Sequence, residues 1–271
     1  MRSMTLQEVQ NVSLEILKDV HFFCESHNIR YSIHYGTLIG AIRHKGFIPW
    51  DDDIDIVMPR PDYERFCKEY QSSNGYKLIK PETPESFFIY ARLCEIEKTN
   101  VYSKWPWATI PTGVWIDILP LDGLPSDEGQ FFSHVRKIRK LQKKIGRIRS
   151  GKYLQLSETH GIKDFVYCLI KRLFYSKYDI RKLISDNIQL LKSYPFDDSE
   201  YVGQLCTMDY PEKEHNPKSD FKSFELMQFC DQEFYVMNGY DNVLRRYFGN
   251  YMELPPEDQR HGHDNNIFYW K

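Results

Sequence analysis

The run Asp51-Asp52-Asp53-Ile54-Asp55-Ile56-Val57-Met58 constrains this chain more than any other, because it threads carboxylates into what otherwise reads as a buried strand. Side chains alternate faces in an extended chain, so Asp53 and Asp55 share one side while Ile54 and Ile56 take the other. Asp51 has the same parity as the pair and can join or brace it; Asp52 points away. Neighbouring carboxylates repel unless a cation sits between them, and hard oxygen donors suit Mg²⁺ or Mn²⁺. Alone, such a run also reads as a solvated turn or a calcium-binding loop, so its context decides.

The context is a glycine and a helix. Gly36 reads as a break, and Thr37 to His44 as a short helix with Thr37 as its N-cap. A glycine lets a phosphate approach the backbone, and a helix N-terminus with a hydroxyl offers it donors. Arg43, His44 and Lys45 supply cations at the far end. A third acid is expected on a neighbouring strand, and Trp115-Ile116-Asp117-Ile118-Leu119 offers Asp117 between apolar residues. A lone charge in a buried run is costly, which predicts a metal or cationic partner for it.

The rest of the chain is ordinary globular material. It has 271 residues, 41% of them apolar and 15% aromatic, with 36 Lys and Arg against 38 Asp and Glu. Such a composition excludes a disordered or fibrous chain, and the length suffices for a sizeable core. The N-terminus reads as an amphipathic helix over about 6–27 behind the capping box Thr5-Leu6-Gln7-Glu8, not as a secretory signal. No apolar stretch is long enough to span a bilayer. Six cysteines without CxxC or CxxH spacing predict reduced thiols in a cytoplasmic protein. Strands are expected near 29–34, 54–58, 77–79, 87–96, 114–119 and 221–227, and helices near 61–70, 129–149, 163–191 and 240–248. His261 and His263, beside Asp264, read as a polar tail.

Net charge hides a division. Residues 131–182 carry 15 Lys and Arg and three acids, a formal +12, while the whole chain is −2. This segment reads as a solvated helical hairpin, or as a contact for anionic lipid or a lipid-linked saccharide through the apolar face Phe165, Val166, Leu169, Ile170, Leu173 and Phe174. Nucleic acid is not expected, since no recognised module accompanies the charge. The expected organisation is a catalytic core over 1–125, a basic helical insertion over 126–200 and a C-terminal segment over 201–271 that packs back on the core.

Gly36-Thr37, then Asp53-Ile54-Asp55-Ile56, then Asp117 isolated between apolar residues is a layout that resembles the nucleotidyltransferase fold superfamily, and the longer string runs from Gly36 to Ile56. Together with Tyr90-Ala91-Arg92-Leu93, Ile116 to Asp122, Tyr247 to Met252 and Leu254-Pro255-Pro256, it resembles more narrowly the LicD family of phosphocholine transferases, relatives of the fukutin-related proteins. The resemblance implies an α/β (α+β) nucleotidyltransferase-like mixed sheet with helices. It also implies transfer of phosphocholine from CDP-choline, or a related CDP-linked donor, to a sugar hydroxyl of a lipid-linked or soluble glycan acceptor of the teichoic acid or lipopolysaccharide type. Asp53, Asp55 and Asp117 would then hold the metal, with Asp117 orienting or deprotonating the attacking hydroxyl. Gly36, Thr37, Arg43, His44, Lys45 and Arg92 would hold the substituted phosphates. Trp50, Trp105, Trp107, Trp115 and several tyrosines are available to box a quaternary ammonium group. The place implied is the cytoplasm, with peripheral contact at the inner membrane face through 131–182. Competing readings are nucleotidyl transfer to a small hydroxylated acceptor, or a non-catalytic membrane- or nucleic-acid-binding relative.

Overall fold

Thr5 begins the first helix as its sequence predicts: the Glu8 N–H donates to the Thr5 hydroxyl at 3.3 Å, and the Thr5 N–H donates to the Glu8 carboxylate at 2.9 Å. Asn28, in the left-handed region at φ 51°, ends it. The computed structural model describes residues 1–72, 74–83, 86, 88–103, 112–152, 161–207, 210–262 and 266–271. Trp105, Trp107, His263 and Asp264 therefore lie outside the described residues.

In chain order the first half comprises β1 (Arg2–Ser3), α1 (Leu6–His27), β2 (Ser32–Ile33), α2 (Tyr35–His44), β3 (Asp55–Pro59), α3 (Arg60–Glu69), β4 (Lys77–Ile79), β5 (Ala91–Cys94), β6 (Thr99–Ser103) and β7 (Trp115–Leu124). Then follow α4 (Glu128–Lys152), α5 (Ile162–Ser176), α6 (Ile180–Leu191), β8 (Tyr201–Gly203), β9 (Asn216–Pro217), β10 (Phe224–Phe229), β11 (Gln232–Met237), α7 (Tyr240–Phe248) and β12 (Asn266–Trp270). The expected α/β class is what forms.

The main sheet is mixed, in the order β2-β3-β7-β5-β4, with β8 pairing the far end of β7 and β9 pairing β8. Only β3 and β7 run parallel within that order; β2, β5 and β4 are antiparallel to their neighbours. Parallel pairing suits strands covered on both faces, and β3 and β7 meet that condition. Ile56, Met58, Ile116, Ile118 and Leu121 are wholly buried, each contributing about 1.5–3 kcal/mol. Helices α1 and α3 pack on β7, and α2 on β3 and β10. A second sheet, β1-β12-β6, joins both ends of the chain to its middle.

The basic segment is helical, but it is not one hairpin of two helices. The helix expected over 163–191 divides into α5 and α6, because Asp179 caps α6 by accepting from the Arg181 and Lys182 N–H groups at 3.0 and 3.2 Å. Phe131, Val135 and Ile138 of α4 enter the main core, while Ile145 and Ile148 form a small separate cluster with Ile180 and Ile184 of α6. Elsewhere the strand expected over 29–34 shrinks to Ser32–Ile33, and that over 221–227 shifts to Phe224–Phe229, paired with β11 across Cys230, itself at φ 57°. All six cysteines are free.

Beyond the reach of sequence patterning is a buried ion pair where α3 meets β7. The Arg60 guanidinium donates twice to Asp122, at 2.6 and 2.7 Å, with Asp122 almost inaccessible. Burial pushes the Asp122 carboxyl up while Arg60 opposes the shift. Breaking such a pair strands a charge, so Asp122→Ala is expected to cost about 3–5 kcal/mol. The measurement is thermal melting, with a fall in Tm on the order of 10 °C; the apolar pair Arg60→Met with Asp122→Leu should recover most of it.

Candidate active site

Register builds the site. Asp55 on β3 is aligned with Asp117 on β7, and Asp117 in turn with Arg92 on β5. Aligned residues on adjacent strands share a face, so two carboxylates and a guanidinium stand in a row across the sheet. The ladder extends upstream of β3, since the Asp117 N–H donates to the Ile54 carbonyl at 2.9 Å. Asp53 lies one residue beyond, with the parity of Asp55.

The cation foreseen for Asp117 is Arg92. Its Nε lies 2.6 Å from Asp117 Oδ1, and Nη2 donates to Oδ2 at 3.2 Å. Burial favours loss of the Arg92 proton, but the Asp117 charge, reinforced by Tyr90 and Cys94, outweighs it and raises the guanidinium pKa. The guanidinium sits 3.7 Å from the Phe88 ring centroid and 4.5 Å from that of Trp115, an aromatic flank that limits its movement. Tyr90 completes the group: it accepts from Arg92 at 3.1 Å and donates to Asp117 Oδ2 at 3.4 Å. Its phenol is kept protonated chiefly by burial. From the basic insertion, Arg149 of α4 comes within electrostatic range of Tyr90 and Arg92, and burial lowers its own pKa.

Helix α2 starts earlier than its sequence suggests. His34, in extended conformation, is the N-cap, and Tyr35 takes φ 44° so that Gly36 and Thr37 fall inside the first turn. Thr37 is therefore not the cap. Its hydroxyl accepts from the Asp55 N–H at 3.0 Å, which ties the helix to the carboxylate strand. Gly36 faces Asp51: a Cβ there would come within 2.7 Å of Asp51 Oδ2. A carboxylate thus rests against the end of the helix that favours anions.

The cationic trio does something other than gather at this end. Arg43 Nη1 donates to the carbonyls of Tyr251 and Glu253 at 3.0 and 3.1 Å, and its Nε donates to His44 Nε2 at 2.9 Å. Lys45, at φ 57°, caps the helix, and its carbonyl accepts from the Cys230 N–H at 2.7 Å. Arg43 and Lys45 thus anchor the C-terminal segment, with His44 bonded to Arg43, whereas Gly36, Thr37, Asp55, Asp117 and Arg92 cluster at the sheet.

Beneath α2 lies a layer that sequence reading did not single out. Glu214 accepts from the Tyr35 hydroxyl at 2.5 Å and from the Tyr247 hydroxyl at 2.7 Å. The fully buried His34 ring packs against both tyrosines, which also contact each other. The His34 backbone N–H donates to the Asp55 carbonyl at 2.9 Å, and burial pushes the imidazole pKa down to about 3.

As a cation site the donor set is consistent: all-carboxylate oxygen, with Asp55 and Asp117 in register and Asp53 just upstream. Among the described residues no group of three His, Cys, Asp or Glu side chains closes on one point, so these ligands are aligned rather than gathered.

Comparison with known proteins agrees in its own terms. The family model "LicD/FKTN/FKRP, nucleotidyltransferase domain" matches residues 28–138, a span that contains α2, β3, β5 and β7. The lipopolysaccharide cholinephosphotransferase LicD of Haemophilus influenzae is 33% identical over 97% of this chain and 97% of its own. Shorter matches include an uncharacterised protein of Rickettsia prowazekii, 30% identical over 34% of this chain and 39% of that one. Another, from Rickettsia typhi, is 44% identical over 27% and 25%.

Two predictions follow from the geometry. Gly36→Ala should displace Asp51 and lower turnover at least ~10-fold, about 1.4 kcal/mol of barrier, with little change in melting temperature. His34 is neutral in the fold and titrates near 6.5 when unfolded, so its contribution is complete above pH 6.5. It is lost as pH falls from there toward 3, by about 1.4 kcal/mol per unit. Melting curves between pH 7 and 5 should therefore flatten in His34→Phe; an unchanged acid sensitivity would count against this assignment. The full-length match and the aligned Asp55, Asp117 and Arg92 identify the chain as a member of the LicD family.

Proposed function

We propose that this protein transfers phosphocholine from CDP-choline to a sugar hydroxyl of a cell-surface glycan precursor, of the lipopolysaccharide or teichoic acid type, and releases CMP. The observation that carries the reading is the Asp55–Asp117–Arg92 row at the N-terminal end of α2. The relative that matches along its whole length is named a lipopolysaccharide cholinephosphotransferase.

In this reaction the acceptor oxygen forms a bond to the phosphorus that carries choline. The bond from that phosphorus to the bridging oxygen breaks, and CMP departs with the electron pair. Such a transfer asks for positioning and charge neutralisation more than covalent chemistry. Asp53 and Asp55, with Asp117, would hold Mg²⁺ or Mn²⁺, which when bound neutralises the diphosphate. Asp117 Oδ2 orients the incoming hydroxyl and receives its proton, while Arg92 and Tyr90 keep that carboxylate fixed. Arg92 and Arg149 bring positive charge to the transferred phosphate, and the first turn of α2 offers backbone donors beside Gly36. Phe88, Trp115 and Tyr90 are described aromatic rings beside Arg92 that could meet a quaternary ammonium group.

Among the described residues no helix is long and apolar enough to cross a membrane. A lipid-linked acceptor would bring the protein to the inner face of the cell membrane as a peripheral enzyme.

The test is incubation with Mg²⁺, glycan acceptor and a panel of CDP-linked donors, with products resolved by chromatography. CMP should appear from CDP-choline and fall at least ~100-fold in Asp53→Ala, about 2.7 kcal/mol of barrier, with melting unchanged. Pyrophosphate released from a nucleoside triphosphate would overturn the reading in favour of nucleotidyl transfer.

A further inference from the structure

Helix α5 is inside out. Phe165, Val166, Leu169, Ile170, Leu173 and Phe174 recur at three- and four-residue spacing, as a buried stripe does. Yet each is between 36% and 64% exposed. The opposite side is the packed one, carrying half-buried Cys168, Lys171 and Tyr175. Tyr175 lies directly on α4 at Gly151, where a Cβ would fall within 2.0 Å of its ring. Lys152 Nζ donates to the Tyr178 carbonyl at 3.1 Å and holds the turn beyond α5. The helix is thus seated on α4 by its polar side and turns its apolar stripe outward.

Charge says what such a stripe can meet. A groove of about 660 Å³ runs between α4 and α5, lined by Lys140, Lys143, Lys144 and Arg147 on one wall and Phe174 on the other. Arg139 reaches Glu212 at 3.9 Å, but among the described residues no carboxylate pairs with those four groove cations. Lys163, Arg172 and Lys177 add exposed positive charge on and just beyond α5. A second copy of this chain, docked stripe to stripe about a two-fold axis, would set like charges against each other. An anionic bilayer offers hydrocarbon to the stripe and negative headgroups to its cationic border at once.

We infer that α5 lies in the interface of an anionic membrane, with its apolar stripe in the acyl boundary and the α4–α5 groove against lipid phosphates. The surface and the site share one element, since Gly151 under Tyr175 is two residues from Arg149, the α4 residue within electrostatic range of Arg92 and Tyr90. A lipid-linked acceptor would be delivered along that helix, and to this extent the inference rests on the transfer proposed above. Binding is measured without donor or acceptor, so the two fail separately.

The full chain is mixed with phosphatidylglycerol–phosphatidylcholine vesicles, or with phosphatidylcholine vesicles alone, and sedimented at about 50 and about 500 mM salt. Binding is expected to the anionic vesicles, at least ~10-fold weaker on the neutral ones and falling with salt. Ile170→Ser with Leu173→Ser alters only exposed positions and should weaken binding at least ~10-fold while leaving circular dichroism and melting unchanged. Lys143→Gln with Lys144→Gln should weaken it on anionic vesicles alone. A tryptophan placed by Leu169→Trp should shift its emission to the blue when vesicles are added. Absence of binding at low salt, or undiminished binding by the Ile170/Leu173 variant, overturns the inference. So does a solution dimer that this variant dissociates without any binding of vesicles.

Discussion

Everything at the candidate site depends on two strands running the same way. Parallel pairing of β3 with β7 aligns Asp55 with Asp117, an arrangement that electrostatics alone opposes. Two terms hold it. The wholly buried isoleucines that alternate with the acids favour this register, and a one-residue slip would turn them outward. Arg92, opposite Asp117 on β5, supplies one positive charge to the row. The sheet is thus pinned by apolar burial on one face and by charge compensation on the other.

A layered support explains how so few polar groups are kept in place. Thr37 bonds the Asp55 backbone from α2, His34 bonds it from the preceding turn, and Glu214 ties Tyr35 to Tyr247 of α7. Buried polar contacts of this kind stabilise modestly but are costly to leave half made, so they specify one arrangement. The left-handed Tyr35 is the local strain this arrangement carries, and its hydroxyl bond to Glu214 is part of what holds it.

Much of this was legible before any coordinates. The capping box placed the start of α1, strand parity grouped Asp53 with Asp55, and the cost of a lone buried charge required a partner for Asp117. That the partner is Arg92 was not legible, because register between β5 and β7 is settled by tertiary packing across distant segments. A lone Arg in one apolar strand and a lone Asp in another was the available signal. The start of α2 was misread because a tyrosine at positive φ has no signature in local sequence, and Thr37 spends its hydroxyl on another strand. Periodicity disclosed the stripe on α5 but not which way it faces; that depends on Gly151 admitting Tyr175. The charge of Arg43 was visible in sequence, but the carbonyls of Tyr251 and Glu253 that it meets were not, since they lie about two hundred residues away.

Those carbonyl partners give α2 a mechanical character. Ten helical residues span about 15 Å. The first turn abuts Asp51 at Gly36 and is pinned to β3 through Thr37, and the other end is clasped by Tyr251 and Glu253 through Arg43. A short stiff rod so fixed is held at both ends and cannot slide along the sheet without breaking one of these contacts. The C-terminal segment thus braces the site from two sides: it clasps the far end of α2, and Gly262 lies so close to Trp50 and Asp52 that a Cβ there would fall 2.6 Å from the Trp50 carbonyl oxygen.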